Sequence, residues 1–223
     1  MKGKIAEIFD SFQGEGFYVG ERQLFVRFYG CNLSCKFCDT KLSVFCEYTA
    51  RELFEKIESY GGGFHSICFT GGEPLLQKDF LKEILKLTSQ AGYKNYLETN
   101  GTLPDALAEV IDDLQIVAMD LKLPSSTGLS DFWHAHRRFL EIASGKEVFL
   151  KAVISESADK EEFNQGVKLI RETNRSAMLV LQPDSGEDYN RIEGKIENFR
   201  DSCIDNEVTA CIIPQMHKII GVR

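Results

Sequence analysis

The 223-residue sequence contains no apolar run of about 18 residues or more, so no segment can cross a bilayer as a helix. It also lacks a basic block. Its 26 Lys and Arg are scattered among 34 Asp and Glu, for a formal net charge of −8. Neutralising a phosphate backbone needs clustered positive charge, so neither a nucleic-acid nor a membrane partner is expected. The first residues, MKGKIAE, carry no apolar signal segment, and a cytoplasmic protein is the expectation. Linkers, low-complexity tracts and fixed-period repeats are absent. Seven cysteines occur, and an odd number without a signal segment argues against a disulfide framework.

Three of those cysteines stand in one short run, Cys31, Cys35 and Cys38. Three thiolates are one short of the four that close a 4Fe-4S cluster, which would leave one iron open to a small molecule. An open position separates a catalytic metal site from a structural one. The competing readings are a zinc site, completed by a residue such as His65, and three unrelated thiols. Cys68 and Cys211 lie in apolar, strand-like company and read as small core residues.

Short β-rich segments alternate with amphipathic helical ones. Strands are expected at 23–29, 66–70, 94–98, 115–120, 147–154, 177–182 and 208–213. Thr49 and Glu52 form the signature of a capping box, opening a helix to about Tyr60 that the glycines at 61–63 stop. Further helices are expected at 79–90, with Phe80, Leu81, Ile84, Leu85 and Leu87 inward, and at 104–111, 132–142, 160–173 and 189–202. This alternation implies βαβ units and a mostly parallel sheet. Seven strands suit an incomplete TIM-like βα barrel. One domain is expected: an N-terminal arm at 1–22, a core at 23–213 and a tail at 214–223 over the site.

Ligands of such folds sit at the C-terminal strand ends. The polar motifs fall there. The cysteine run follows the first core strand, and Thr70, Gly71, Gly72, Glu73 and Pro74 follow the second. Glu98 to Gly101 end the third, Asp120 to Lys122 the fourth, Lys151 lies in the fifth, and Gln182 to Ser185 end the sixth. Two adjacent glycines let backbone approach a ligand closely, although a plain turn would also use them. In the arm, Gln13 and Glu15 offer donors and acceptors to a heterocycle edge such as a pterin. Arg27, in an apolar strand, is costly to bury unpaired; a substrate carboxylate would pair it, as would an Asp or Glu of the protein.

The cysteine spacing, with Phe37 before the last thiol and Gly-Gly-Glu-Pro one βα unit later, resembles the radical S-adenosylmethionine (SAM) superfamily. The arm segment Phe12 to Gly16, Arg27, Cys-Asp-Thr at 38–40, Asp120 to Ser126 and Pro214 to Lys218 look like the 7-carboxy-7-deazaguanine synthase family, over nearly the whole chain. The resemblance implies a partial barrel and a radical lyase of queuosine and 7-deazapurine biosynthesis. The implied reaction contracts 6-carboxy-5,6,7,8-tetrahydropterin to 7-carboxy-7-deazaguanine with loss of ammonia, using SAM catalytically. It implies that Cys31, Cys35 and Cys38 hold the cluster. Phe37, Cys38, Asp39, Gly71, Gly72, Glu73, Asp120, Leu121, Lys122, Gln182, Pro183, Asp184 and Ser185 would contact SAM. Phe12, Gln13, Gly14, Glu15, Arg27, Thr70, Gln215 and His217 would face the pterin. Thr40 would ligate Mg²⁺, an ion that keeps several waters and borrows ligands from substrate; the plainer role for Thr40 is a helix N-cap. A flavodoxin or ferredoxin donor and a homodimer are the implied partners.

Two features depart from that pattern. Ser125-Ser126 is followed by Thr127-Gly128, which displaces the glycine by one residue. The helix with Trp133, His134 and His136 has no assigned role, and both histidines read as surface residues. The rival enzyme is a glycyl-radical activating enzyme, which shares the cysteine spacing but needs neither the arm nor Arg27. The non-enzyme rival is a zinc- or cluster-bearing binding module.

Overall fold

The strands, in chain order, are β1 (Lys2–Phe12), β2 (Arg22–Phe28), β3 (Cys46–Thr49), β4 (Ser66–Gly71), β5 (Asn95–Thr99), β6 (Ile116–Asp120), β7 (Glu147–Ile154), β8 (Met178–Pro183) and β9 (Ala210–Ile212). The helices are α1 (Ala50–Glu58), α2 (Lys78–Gln90), α3 (Pro104–Val110), α4 (Pro124–Thr127), α5 (Trp133–Ala143), α6 (Lys160–Thr173), α7 (Tyr189–Asp205) and α8 (Met216–Ile220). The structure, a computed structural model, describes residues 1–38 and 42–221.

One nine-stranded sheet runs in the order β3-β1-β2-β4-β5-β6-β7-β8-β9. From β2 through β9 every neighbour in that order pairs in parallel, which gives the seven core strands read from the sequence. β1 and β3 add antiparallel pairs. The sheet stays open, with β3 and β9 at its edges. It is an incomplete barrel.

Within the arm at 1–22 lies an element that the sequence pattern does not show. Residues 2–12 are a long strand registered on β2, with Glu7 opposite Arg27 and Phe9 opposite Phe25. Its mixed polar sequence hides it, because both of its faces are partly wet. The stretch between the cysteine loop and the first helix holds β3, a four-residue edge strand that pairs with β1 and packs Tyr48 against the core.

The capping box at Thr49 and Glu52 forms as expected: Thr49 Oγ1 accepts from Glu52 N, and Glu52 accepts from Thr49 N at 2.7 Å. Asp159 caps α6 by accepting from Glu161 N and Glu162 N. On α2, Phe80, Leu81, Ile84 and Leu85 are buried; Leu87 is only half-buried, and Thr88 takes the inner position instead. The helices cover the outer face of the sheet in one continuous core, where Phe163 and Phe199 stack at 4.1 Å.

A second, smaller apolar cluster lines the inner face: Phe9, Phe25, Cys68, Tyr96, Ile116, Ala118, Phe149 and Val180. The loop between β1 and β2 enters this interior, where Tyr18 lies against His65, Tyr96 and Phe149. Cys68 is a core residue as read; Cys211 is half-buried beside the inner cluster. Among the described residues no helix is long and apolar enough to cross a membrane.

The reading of His136 as a surface residue is overturned. It is fully buried on α5, its Nε2 lies 3.3 Å from the Asn100 carbonyl, and its Nδ1 has no partner among the described residues. Burial lowers its pKa from 6.5 to about 4. Between those values the unfolded chain binds a proton that the folded chain does not. Stability from this residue is therefore complete above about pH 6.5 and lost as the pH falls toward 4. At about 1.4 kcal/mol per pKa unit, moving from pH 7 to pH 5 should cost wild type about 2 kcal/mol relative to His136→Gln. Urea denaturation of both proteins at the two pH values measures this.

Candidate active site

Strand alternation builds the site. The inner face carries one layer of apolar pairs, Phe25 beside Cys68, Cys68 beside Tyr96 and Ala118 beside Phe149. Two residues further along each strand the inward position becomes polar: Arg27 beside Thr70, Asp120 beside Lys151, with Glu98 between and Gln182 beyond. These side chains, the three cysteines and parts of the arm and tail line one cavity of about 410 Å³.

The cysteine loop is held at both ends. At its start Gly72 N donates to Phe28 O at 3.0 Å and Glu73 N to Gly30 O at 2.8 Å. A Cβ on Gly72 would lie 2.0 Å from Gly30 O, and Gly71 sits at φ +126° against Phe28 backbone. Only glycine permits that approach. At the other end Lys36 N donates to Thr127 O at 3.0 Å, and the Lys36 side chain crosses Gly128, whose φ is +73°. The displaced Thr127-Gly128 therefore serves as the dock for this loop. Phe37 lies beneath Lys122 Nζ at 5.1 Å, and Lys122 pairs with Asp120 at 2.8 Å.

Cys31, Cys35 and Cys38 all face the cavity. Cys31 Sγ accepts from Leu33 N at 3.4 Å, and Asn100 Nδ2 stands 4.0 Å away. Burial pushes the Cys31 and Cys35 thiols up, while the Lys122 ammonium opposes it. Among the described residues no three His, Cys, Asp or Glu side chains gather around one point suited to a single ion. A 4Fe-4S cluster takes one thiolate per iron, and three cysteines lining one cavity supply three of them. The three thiols fit that group.

Glu73 does not face the cavity. It is fully buried beneath the turn, accepting from Leu75 N at 3.1 Å, Thr99 Oγ1 at 3.0 Å and Asn100 N at 2.8 Å. Burial raises its pKa to about 7 against the pull of those donors. Four more residues of the expected SAM-contact set have side chains that do not line the cavity. Leu121 packs in the outer core against Gly166. Pro183 is buried at the end of β8, and Asp184 accepts from Gly186 N at 2.9 Å. Ser185 accepts from Lys218 Nζ at 2.7 Å. Asp39 and Thr40 lie outside the described residues.

On the opposite wall, the arm and tail come together. Gln13 is buried and fully engaged: its Nε2 donates to Gln23 Oε1 and Glu98 Oε1, both at 3.0 Å, and its Oε1 accepts from Glu15 N. Glu15 pairs with Lys151 Nζ at 2.9 Å and accepts from Gln215 Nε2 at 2.6 Å, with His217 Nδ1 at 4.0 Å. The tail holds the short helix α8, and Met216 N donates to Gly14 O at 2.8 Å. Thr70 Oγ1 donates to Glu98 Oε2 at 2.7 Å. Phe12 lines the mouth, half-exposed. Arg27 lines the cavity half-buried rather than buried; its Nε is 3.4 Å from Glu7, so the protein-carboxylate partner exists as well.

Sequence reading left Glu98, Asn100, Lys151 and Val153 out of the candidate set, although all four line the cavity. The signal for Glu98 and Lys151 was a charge inside an otherwise apolar strand. Gln182 faces the cavity with its Oε1 buried and, among the described residues, unpartnered, as a ligand-binding amide would be.

Gly72→Ala should push the Gly30 backbone away and open the root of the cysteine loop. Iron bound per chain after anaerobic reconstitution should fall severalfold while circular dichroism stays near wild type. Normal iron loading would contradict the role assigned to this contact.

The sequence pattern of the Radical SAM superfamily matches residues 25–192. The chain is 38% identical to the 7-carboxy-7-deazaguanine synthase of Archaeoglobus fulgidus, covering 100% of both chains. It is 35% identical to the enzyme of that name from Geobacter sulfurreducens, covering 98% of this chain and 97% of the relative. Its fold is similar to the crystal structure of QueE from Escherichia coli, with a TM-score of 0.66 at 20% identity, covering 95% of this chain and 94% of that one. By sequence pattern, full-length similarity and fold, the chain belongs to the radical SAM superfamily and, within it, to the 7-carboxy-7-deazaguanine synthase family.

Proposed function

We propose that the chain is a 7-carboxy-7-deazaguanine synthase, contracting 6-carboxy-5,6,7,8-tetrahydropterin to the deazaguanine with loss of ammonia. The observation that carries this reading is the two-sided cavity. Its one wall is the cysteine loop with Gly71 and Gly72; its other is Glu15, Gln215 and His217, with Arg27 and Glu98 between. About 410 Å³ suits small molecules rather than a docked protein segment. An activating enzyme for a protein substrate would need that wall open.

When bound, the cluster with SAM supplies a one-electron route to an adenosyl radical. The chain's own residues do the rest. Gly71 and Gly72 would hold the SAM methionyl end by backbone, and Asp120, Lys122 and Gln182 would offer it polar contacts. Arg27 pairs the substrate carboxylate, with Thr70 nearby. Glu15, with a lone pair left on each oxygen, accepts from the donor edge of the heterocycle. Gln13 acts through its neighbours, holding Glu15 N and Glu98 in place. Thr40, two residues beyond the last cysteine, is the proposed Mg²⁺ ligand. A flavodoxin or ferredoxin donor and a homodimer belong to the same reading.

An anaerobic assay with the carboxy-pterin, SAM, Mg²⁺ and a reductant tests it. Deazaguanine product should exceed the SAM consumed, and Cys35→Ala should abolish SAM cleavage. Arg27→Ala should weaken pterin binding by roughly tenfold or more, the scale of a charge-assisted bidentate contact, while uncoupled SAM cleavage persists. No product from the carboxy-pterin, or wild-type pterin affinity in Arg27→Ala, would count against it.

A further inference from the structure

Lys151 has no role in the reading above. It is buried in the middle of β7, and its ammonium lies between two walls of the cavity, 2.9 Å from Glu15 Oε2 and 3.7 Å from Asp120 Oδ1. A lone buried ammonium is expensive, and so is a lone buried carboxylate. Each is tolerable here because the other is present.

The surroundings of Glu15 make this dependence one-sided. Above it lie His217 at 4.0 Å and the neutral Gln215. Glu98 reaches it through Gln13, and Asp120 shares Lys151. Beneath are Tyr96 and Cys68, both fully buried. Arg27, across the cavity, has Glu7 as its partner. Asp120 has a second cation in Lys122, at 2.8 Å, whereas Lys151 is the one permanently charged side chain paired with Glu15 among the described residues. Burial raises the Glu15 pKa; the Lys151 charge, the bonds from Gln215 and Lys151, and His217 bring it down to about 2.

We propose that Lys151 is the positioning residue that holds Glu15 as a charged acceptor aimed into the cavity, and so keeps binding of the heterocycle's donor edge independent of pH. The inference rests on the pterin reading of the cavity. Without the lysine, Glu15 keeps its burial and its two neighbouring carboxylates but loses its counter-charge. It then takes up a proton near neutrality, and a protonated carboxyl no longer offers two acceptors to a pair of N–H donors.

The test uses the reconstituted, SAM-loaded enzyme. Carboxy-pterin binding is measured across pH 6 to 9 for wild type, Lys151→Met and Lys151→Arg, with difference infrared spectra for a protonated buried carboxyl. Wild type and Lys151→Arg should show flat affinity with respect to this group. Lys151→Met should bind roughly tenfold or more weakly near neutral pH and recover as the pH rises. Its spectrum should gain a protonated carboxyl band that disappears in Glu15→Gln/Lys151→Met, which separates Glu15 from Asp120 and Glu98. Unchanged affinity in Lys151→Met, or a loss equal at every pH without that band, overturns the inference.

If Lys151→Met does not fold, wild type against Glu15→Gln reads the same quantity. Glu15 ionised down to about pH 4, below the ordinary carboxylate value, supports the inference; a protonated Glu15 at neutral pH overturns it. A wild-type enzyme that binds SAM but no carboxy-pterin defeats the functional reading instead, and the infrared spectra still decide the Lys151–Glu15 relation.

Discussion

The contact between the glycine turn and the root of the cysteine loop governs the rest of the site. Gly72 N and Glu73 N donate to the two carbonyls that flank the end of β2, Phe28 O and Gly30 O. Those bonds place the chain just before Cys31. The same turn then sends the Glu73 carboxylate downward, where Thr99 and Asn100 bind it. The loops after three successive strands are thereby tied together beneath the cavity. A buried carboxyl with this many donors is a rigid anchor, because leaving any of them unpaired in the interior costs about 1–3 kcal/mol. The glycines are required for the approach of backbone to backbone, in addition to any approach of ligand.

Above that anchor the cavity is crossed by a line of alternating charge. Glu15 meets Lys151, Lys151 meets Asp120, Asp120 meets Lys122, and Lys122 covers the ring of Phe37 in the cysteine loop. The line begins at the tail and ends beside the thiols. Each charge is partly or fully withdrawn from water and each has an opposite neighbour, which is how a low-dielectric interior tolerates ions. The loop that brings Glu15 inward is supported from below by Tyr18 on the aromatic floor. Arm, sheet and tail are therefore parts of one arrangement, although they are far apart in sequence.

Much of this was legible. Apolar strands interrupted by Arg27, Glu98 or Lys151 reveal which face is wet, since inward and outward positions alternate. The capping box at Thr49 and Glu52 marks a helix start by local chemistry alone. The cysteine spacing and Gly-Gly-Glu-Pro mark the cofactor wall. What was hidden depends on partners distant in sequence. β1 and β3 have weak patterns of their own and exist because they pair. His136 has the composition of a surface helix position, and only the packing of α5 over Asn100 buries it. Glu73 belongs to a motif associated with SAM, yet its side chain turns away from the cavity to hold neighbouring loops. Motifs identify the loop that meets a ligand; which of its side chains point there is decided by the backbone course.

The central claim is that three thiols on a clamped loop hold an iron-sulfur cluster with one position left for SAM. Electron paramagnetic resonance of the reduced, anaerobically reconstituted protein, recorded with and without SAM, tests it directly. The expected result is one 4Fe-4S signal per chain whose shape changes when SAM is added. A protein that holds zinc tightly and takes up no iron, or a cluster signal indifferent to SAM, would contradict it.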